Sequence, residues 1–213
     1  MENYKTIIKV KQKSKNNSNC IVISDDGESW EISMDLVLKF KIAKQATFSI
    51  EEWNKIILEQ QLILCKSTAY SFASYKPRTK KQIYDKLITL DFSQEEIAQS
   101  LVFLEEYNLI DDYEFSRKFI QNRLLTKKIG ELKIKQELAS KGVDKNTIEQ
   151  AIENFYPKEN VEELINAEID KKIRQISRKP KEKQYPALFN YLLGRGFKIE
   201  DIKKAIAKHF EKQ

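Results

Sequence analysis

A chain of 213 residues with only 5 Gly and 4 Pro, 41% hydrophobic and 33% charged residues, has the composition of a mainly helical protein with a real core. No apolar run approaches the roughly 20 residues that span a bilayer, and Met1-Glu2-Asn3-Tyr4 does not open a secretion signal, so a cytoplasmic protein without a membrane partner is expected. The formal net charge is +6, and residues 1–62 hold nine Lys/Arg against nine Asp/Glu, so the whole positive excess lies after residue 62.

Lys5 to Val10 and Cys20 to Ile23 are short and β-branched, Asp25-Asp26-Gly27-Glu28 is a turn signal, and Ser29 to Met34 alternates in polarity. The pattern predicts a small three-stranded antiparallel sheet with a loop at Lys13 to Asn19. A short helix over Met34 to Phe40 follows, packed on the sheet with Trp30. Ser49-Ile50-Glu51-Glu52 is a capping box that opens a helix through Trp53, Ile56 and Ile57. That helix is expected to run past Leu62 without a flexible linker.

The rest of the chain repeats itself. Ile83, Leu87, Phe92, Ile97 and Leu101 return 51 residues later as Ile134, Leu138, Val143, Ile148 and Ile152, and 54 residues further on as Leu188, Leu192, Phe197, Ile202 and Ile206. Five shared apolar positions signal a tandem structural repeat, each unit reading as three helices. Within a unit, Pro77 stops one helix, and Thr79 caps the next, whose Ile83, Leu87 and Leu90 share a face. Asp91, Gly142 and Gly196 stand at equivalent positions where a left-handed residue closes that helix, each followed by an apolar residue as in a Schellman closure. Ser93-Gln94-Glu95-Glu96 boxes the third helix of the first unit, which carries Ile97, Leu101 and Leu104. All these apolar positions read as core. The expected organisation is mainly α: a β-rich domain at 1–61 with its connecting helix, then stacked three-helix repeats at 62–112, 113–158 and 159–213.

Chemistry is poorly provided for. His209 is the single histidine, Cys20 and Cys65 form no CxxC pair or disulfide framework, and no Gly-rich phosphate loop exists. No metal, cofactor or enzymatic activity is therefore expected. Asp111-Asp112 reads as a helix cap with Glu114 completing the box, ahead of Phe115, Phe119, Ile120 and Leu124. Trp30 and Trp53 read as packing residues.

The functional signal is charge. Lys76, Arg78, Lys80, Lys81 and Lys86 surround the start of the second helix of the first repeat. Arg117, Lys118, Arg123, Lys127, Lys128, Lys133 and Lys135 occupy the corresponding part of the second repeat. Lys171, Lys172, Arg174, Arg178, Lys179, Lys181 and Lys183 run through the junction of the third. Recurrence at equivalent places, beside a neutral N-terminal region, points to a phosphate backbone or an acidic polymer surface. No aromatic-rich stacking surface accompanies the clusters, which argues against reading of base sequence.

Tyr75-Lys76-Pro77-Arg78-Thr79-Lys80-Lys81-Gln82-Ile83 with Leu87 resembles the first signature of the RecX family of bacterial regulators. So does Leu104-Glu105-Glu106-Tyr107-Asn108-Leu109-Ile110-Asp111-Asp112-Tyr113-Glu114-Phe115, and so do Glu137 to Val143 and Leu192 to Phe197. Residues 1–50 look like the N-terminal extension of some members. Arg78-Thr79 stands where Arg-Ser is commoner, which keeps the cap. Pro186 in Lys183-Gln184-Tyr185-Pro186-Ala187 suits the first turn of the second helix of the third repeat. The resemblance implies an elongated curved stack of three-helix repeats and a modulator of the RecA recombinase, lying in the groove of the RecA–single-stranded DNA nucleoprotein filament. It also implies suppression of ATP hydrolysis, coprotease activity and strand exchange, in DNA repair, recombination and SOS control. Single- and double-stranded DNA are expected as weaker partners, bound without sequence preference. The expected contacts are the basic clusters, with Arg78, Lys81 and Arg195 added from the matched motifs. The alternative is a basic helical-repeat protein that binds nucleic acid directly without acting on RecA.

Overall fold

The computed structural model describes residues 4–14, 18–178 and 180–211. Part of the expected 13–19 loop, Lys179, and the side chain of Lys181 lie outside the described residues. The chain forms two compact units, Met1–Phe72 with Lys86–Tyr107 and Ala73–Asp85 with Asn108–Gln213.

The first unit begins with strands β1 (Tyr4–Gln12), β2 (Asn19–Ser24) and β3 (Ser29–Ser33), then helix α1 (Met34–Lys39), strand β4 (Thr47–Ser49) and helix α2 (Ile50–Tyr75). The sheet is antiparallel in the order β3-β2-β1-β4. It thus has four strands, not the expected three. β4 escapes the sequence because it is three residues long, pairing Thr47, Phe48 and Ser49 with Thr6, Lys5 and Tyr4, too short to show an alternation. Alternation in β2 turns Cys20 and Val22 inward to join Ile7, Ile32, Leu36, Val37, Ile42, Trp53 and Ile56 in one core. Trp30 packs edge-on against Trp53 at 4.9 Å between ring centroids, so both tryptophans are packing residues.

The Ser49 box forms as read: Glu52 N–H donates to Ser49 Oγ at 3.2 Å and Ser49 N–H to Glu52 Oε2 at 2.9 Å. From it α2 runs 26 residues without a break, crossing residue 62 as a continuous helix. Helix α4 (Gln94–Glu106) completes this unit, opened by the Ser93–Glu96 box and buried through Ile97, Ser100, Leu101 and Leu104.

The remaining helices are α3 (Lys80–Ile88), α5 (Asp112–Lys127), α6 (Glu131–Ser140), α7 (Lys145–Phe155), α8 (Val161–Ile176), α9 (Lys181–Gly194) and α10 (Ile199–Glu211). Within the second unit α5 packs with α6 and α7, and α8 packs with α9 and α10. The template positions Ile134, Leu138, Val143, Ile148 and Ile152 form one buried cluster with Ile120 and Ile129. Leu188, Leu192, Phe197, Ile202 and Ile206 form the next with Ile165, Ile169 and Ile176. Each such side chain withdrawn from water contributes about 1.5–3 kcal/mol.

The second helices close as the sequence predicts. Asp91, Gly142 and Gly196 have φ of 61°, 83° and 82°. The residues after them, Phe92, Val143 and Phe197, donate backbone N–H groups to Leu87, Leu138 and Leu192, five residues back, as a Schellman closure requires.

What the sequence does not reveal is that these closures are seats. Thr79 Oγ1 accepts from Gln82 N–H at 3.2 Å, capping α3, and donates to the carbonyl of Lys141 at 2.6 Å. The start of α3 therefore rests on the end of α6. One repeat on, Gly130 N–H donates to Arg195 O at 2.9 Å and Leu132 N–H to Gly196 O at 3.0 Å, resting the start of α6 on the end of α9. Orphan donors at one helix start meet orphan carbonyls at the next helix end, with the dipoles aligned head to tail. The fit leaves no room for a β-carbon: one on Gly196 would lie 2.3 Å from Lys133 N, and one on Gly130 would lie 2.2 Å from Gly196 O. Asp91 also has positive φ but is exposed, and there a side chain is tolerated.

Two further readings are corrected. α9 begins at Lys181, so Pro186 lies inside it, not in its first turn. The helix has gained a turn beyond the position equivalent to Thr79 and Gly130, which is Gln184. Glu114 does not complete a box, because its carboxylate is held by Arg117 two-pronged at 2.6 and 2.7 Å. Asp111 alone caps α5, accepting from Tyr113 and Glu114 N–H.

Substituting Gly196→Ala should lower stability by about 3 kcal/mol, from a left-handed side chain plus overpacking against backbone. Asp91→Gly should change it by less than about 1 kcal/mol. Urea midpoints of the two variants test this; equal small effects would show that the seat is not tightly packed.

Candidate nucleic-acid interface

The second unit contains every basic residue singled out above except Lys86, which is half-buried in the first. A cavity of about 400 Å³ lies where the end of α2 and the 76–78 linker meet the turn before α5. It is lined by the apolar Ala73, Pro77, Leu109 and Phe115 and by Tyr75, Lys76, Arg78, Asp111, Glu114 and Lys118. The geometry thus brings together Arg78 of the first cluster and Lys118 of the second. Asn108, with φ of 54°, turns the chain sharply at the cavity edge.

The carboxylates of this cavity are already engaged. Asp111 holds two backbone N–H groups, and Glu114 is ion-paired with Arg117 and, at 3.4 Å, with Lys118. The Arg117 hydrogen bonds hold the Glu114 carboxyl down to about 2. The neighbouring Asp112 reaches back to a different helix, accepting from Lys80 N–H at 2.9 Å, the first donor of α3. Burial pushes its carboxyl pKa up against the opposing pull of Lys80. An Asp pair that looks like a single cap therefore serves two helix starts.

The other cations divide into two kinds. Some face inward to partners in the fold. Arg123 pairs with Glu137 at 2.6 Å and lies 4.6 Å from the Phe119 centroid. Lys135 bridges Glu131 and Glu149 at 2.9 and 2.6 Å. Arg195 pairs at 2.7 Å with Glu168, whose residue is only 4% exposed, and also donates to the Lys127 carbonyl. Tyr191 Oη donates to the same carboxylate at 2.5 Å. Arg195 is a structural staple between α9, α8 and the end of α5. Lys81 is paired with Asp85 at 2.8 Å, Lys133 donates to Gln136, and Lys172 lies over the Tyr191 ring. Lys80 is exposed. Others point outward without an ion-pair partner among the described residues: Lys76, Lys127, Lys128, Lys171, Arg174 and Arg178. Lys127 and Lys128 flank the left-handed end of α5, where Lys128 has φ of 46°. Arg174 and Arg178 flank the end of α8.

With this geometry in view the comparisons are specific. Residues 65–104 match the model of the RecX first three-helix domain and residues 111–152 that of the second. The Regulatory protein RecX of Clostridium perfringens (strain 13 / Type A) is 30% identical over 90% of this chain and 89% of its own length. The chain belongs to the RecX family. The RecX of Clostridium tetani is 29% identical over 95% of this chain and 93% of its own length. A crystal structure of regulatory protein RecX shares the fold with a TM-score of 0.76 at 22% identity, covering 95% of this chain and 99% of that one. The RecX structure from Lactobacillus salivarius covers 70% of this chain and 96% of its own, with a TM-score of 0.65 at 25% identity. The family is one of regulatory proteins. No helix among the described residues is long and apolar enough to cross a membrane.

Removing Arg195 leaves a buried carboxylate without its cation, so Arg195→Ala should cost about 3–5 kcal/mol of stability. Arg178→Ala should cost less than about 0.5 kcal/mol. Chemical denaturation of both variants checks the division into inward and outward cations; similar losses would overturn it.

Proposed function

We propose that this chain regulates the RecA recombinase by binding along the groove of the RecA–single-stranded DNA filament and suppressing ATP hydrolysis, coprotease activity and strand exchange. The observation that carries this reading is membership of the RecX family joined to a set of outward cations carried by a repeat array. Arg174 and Arg178, together with Lys127 and Lys128, are side chains whose charge the fold does not consume. Such a set suits a polymer of regularly spaced negative charge, with affinity that falls steeply with salt. Binding without base reading suits a filament, in which the DNA sequence varies and the lattice does not. The same side chains would support weaker contact with free single- or double-stranded DNA. A regulator of this kind acts in DNA repair, recombination and control of the SOS response.

The second reading, direct nucleic-acid binding without action on RecA, draws on the same cations and predicts different stoichiometry. The test is single-stranded-DNA-dependent ATP hydrolysis by RecA of the same organism, with this protein titrated in from far below one per RecA. Inhibition at low ratios that persists when DNA is added in excess supports the filament regulator. Inhibition that disappears with excess DNA, or none at all, favours the second reading. Arg174→Glu with Arg178→Glu should weaken inhibition about tenfold or more while leaving the helical circular-dichroism spectrum intact. Unchanged inhibition would remove this cluster from the interface.

A further inference from the structure

The cavity beside α5 carries one feature that a plain phosphate track does not need. Tyr75 is 84% exposed, more than any other large hydrophobic or aromatic side chain among the described residues. It is the last residue of α2 and lines the same cavity as Lys76, Arg78 and Lys118. An aromatic ring left in water contributes nothing to the core, and its flat face is open to a planar ligand.

The charge of the cavity is also one-sided in what it still offers. Asp111 is committed to the α5 cap and Glu114 to Arg117, so the acceptors are satisfied within the fold. Lys76 has no ion-pair partner among the described residues, and Lys118 shares Glu114 only as its longer contact, 3.4 Å against 2.6 Å for Arg117. The donors thus retain capacity where the acceptors do not. A ligand that matches an open ring face and spare cations is a planar group joined to an anion.

We infer that this cavity seats a nucleotide of an unpaired strand, with its base stacked on Tyr75 and its phosphates held by Lys76 and Lys118. A duplex keeps its bases stacked on one another and offers Tyr75 no face, whereas each base of a single strand has one free. The site therefore gives the chain a preference for single strands over duplex that the outward cations cannot supply. Stacking accepts any base, which keeps the site indifferent to sequence. The sequence shows Tyr75 beside Lys76 and Pro77 but not that its ring is left exposed. The inference rests on the proposed nucleic-acid contact of this unit, and it does not require that RecA itself be inhibited.

The test compares the full chain with Tyr75→Ala, Tyr75→Phe and the pair Lys76→Ala with Lys118→Ala. The probes are a fluorescein-labelled oligothymidylate and a duplex of equal length, read by anisotropy over a range of salt. Tyr75→Ala should weaken single-strand binding about tenfold and leave duplex binding within about twofold, since stacking of one base contributes a factor of that order. Tyr75→Phe should bind the single strand as the parent does. The lysine pair should weaken both probes and reduce the salt dependence. Equal loss on both probes with Tyr75→Ala, or none on either, would overturn the inference, as would tight binding of acidic peptide in place of oligothymidylate. Running the RecA hydrolysis assay alongside separates the two claims. A parent protein that inhibits RecA while Tyr75→Ala leaves single-strand binding unchanged refutes the stacking site alone. Single-strand loss without any RecA effect from the parent refutes the filament reading alone.

Discussion

The contact on which the second unit depends is the seating of one helix start on the end of another. A helix leaves about four N–H groups orphaned at its beginning and four carbonyls at its end. Here the two sets meet across repeats: Thr79 reaches Lys141, and Gly130 and Leu132 reach Arg195 and Gly196. Three demands then fall on one residue at each closure. It must adopt positive φ, it must lack a side chain, and it must be followed by an apolar residue that folds back. Gly142-Val143 and Gly196-Phe197 meet all three. Asp91-Phe92 meets the first and third at an exposed closure.

This explains what the sequence discloses and what it withholds. The recurrence of five apolar positions exposes the three-helix units because core positions tolerate few residue types. Box and cap signals are short-range and equally legible, as Ser49, Thr79, Ser93 and Asp111 demonstrate. Long-range partners are not. Asp112 serves the start of α3 from 32 residues away, and Arg195 meets Glu168 and Lys127 on two other helices. Nothing local distinguishes such residues from solvated charges. β4 is hidden for a different reason: three residues cannot display a period of two. Glu114 misleads because an acceptor three residues into a helix has two suitable donors, and the Arg117 fork provides two strong hydrogen bonds where the backbone provides one.

Counting charges finds where the cations concentrate, after residue 62, and cannot tell a structural cation from an available one. Arg123, Lys135 and Arg195 are held by carboxylates of the fold, whereas Lys127, Lys128, Arg174 and Arg178 are not. The burial of Glu168 is the deciding fact for Arg195, because a buried carboxylate needs its cation before any ligand does.

The extra turn at the start of α9 has a consequence for how long such an array can be. Each earlier second helix begins where it can dock on a following closure. α9 instead begins after Pro180, runs on through Pro186, and turns Gln184, the residue matching Thr79 and Gly130, back toward the Ser177 carbonyl of its own unit. A fourth unit added by duplication would find no free helix start to receive it. A local folding choice at α9 therefore withholds the docking edge that α3 and α6 each present to the unit that follows them.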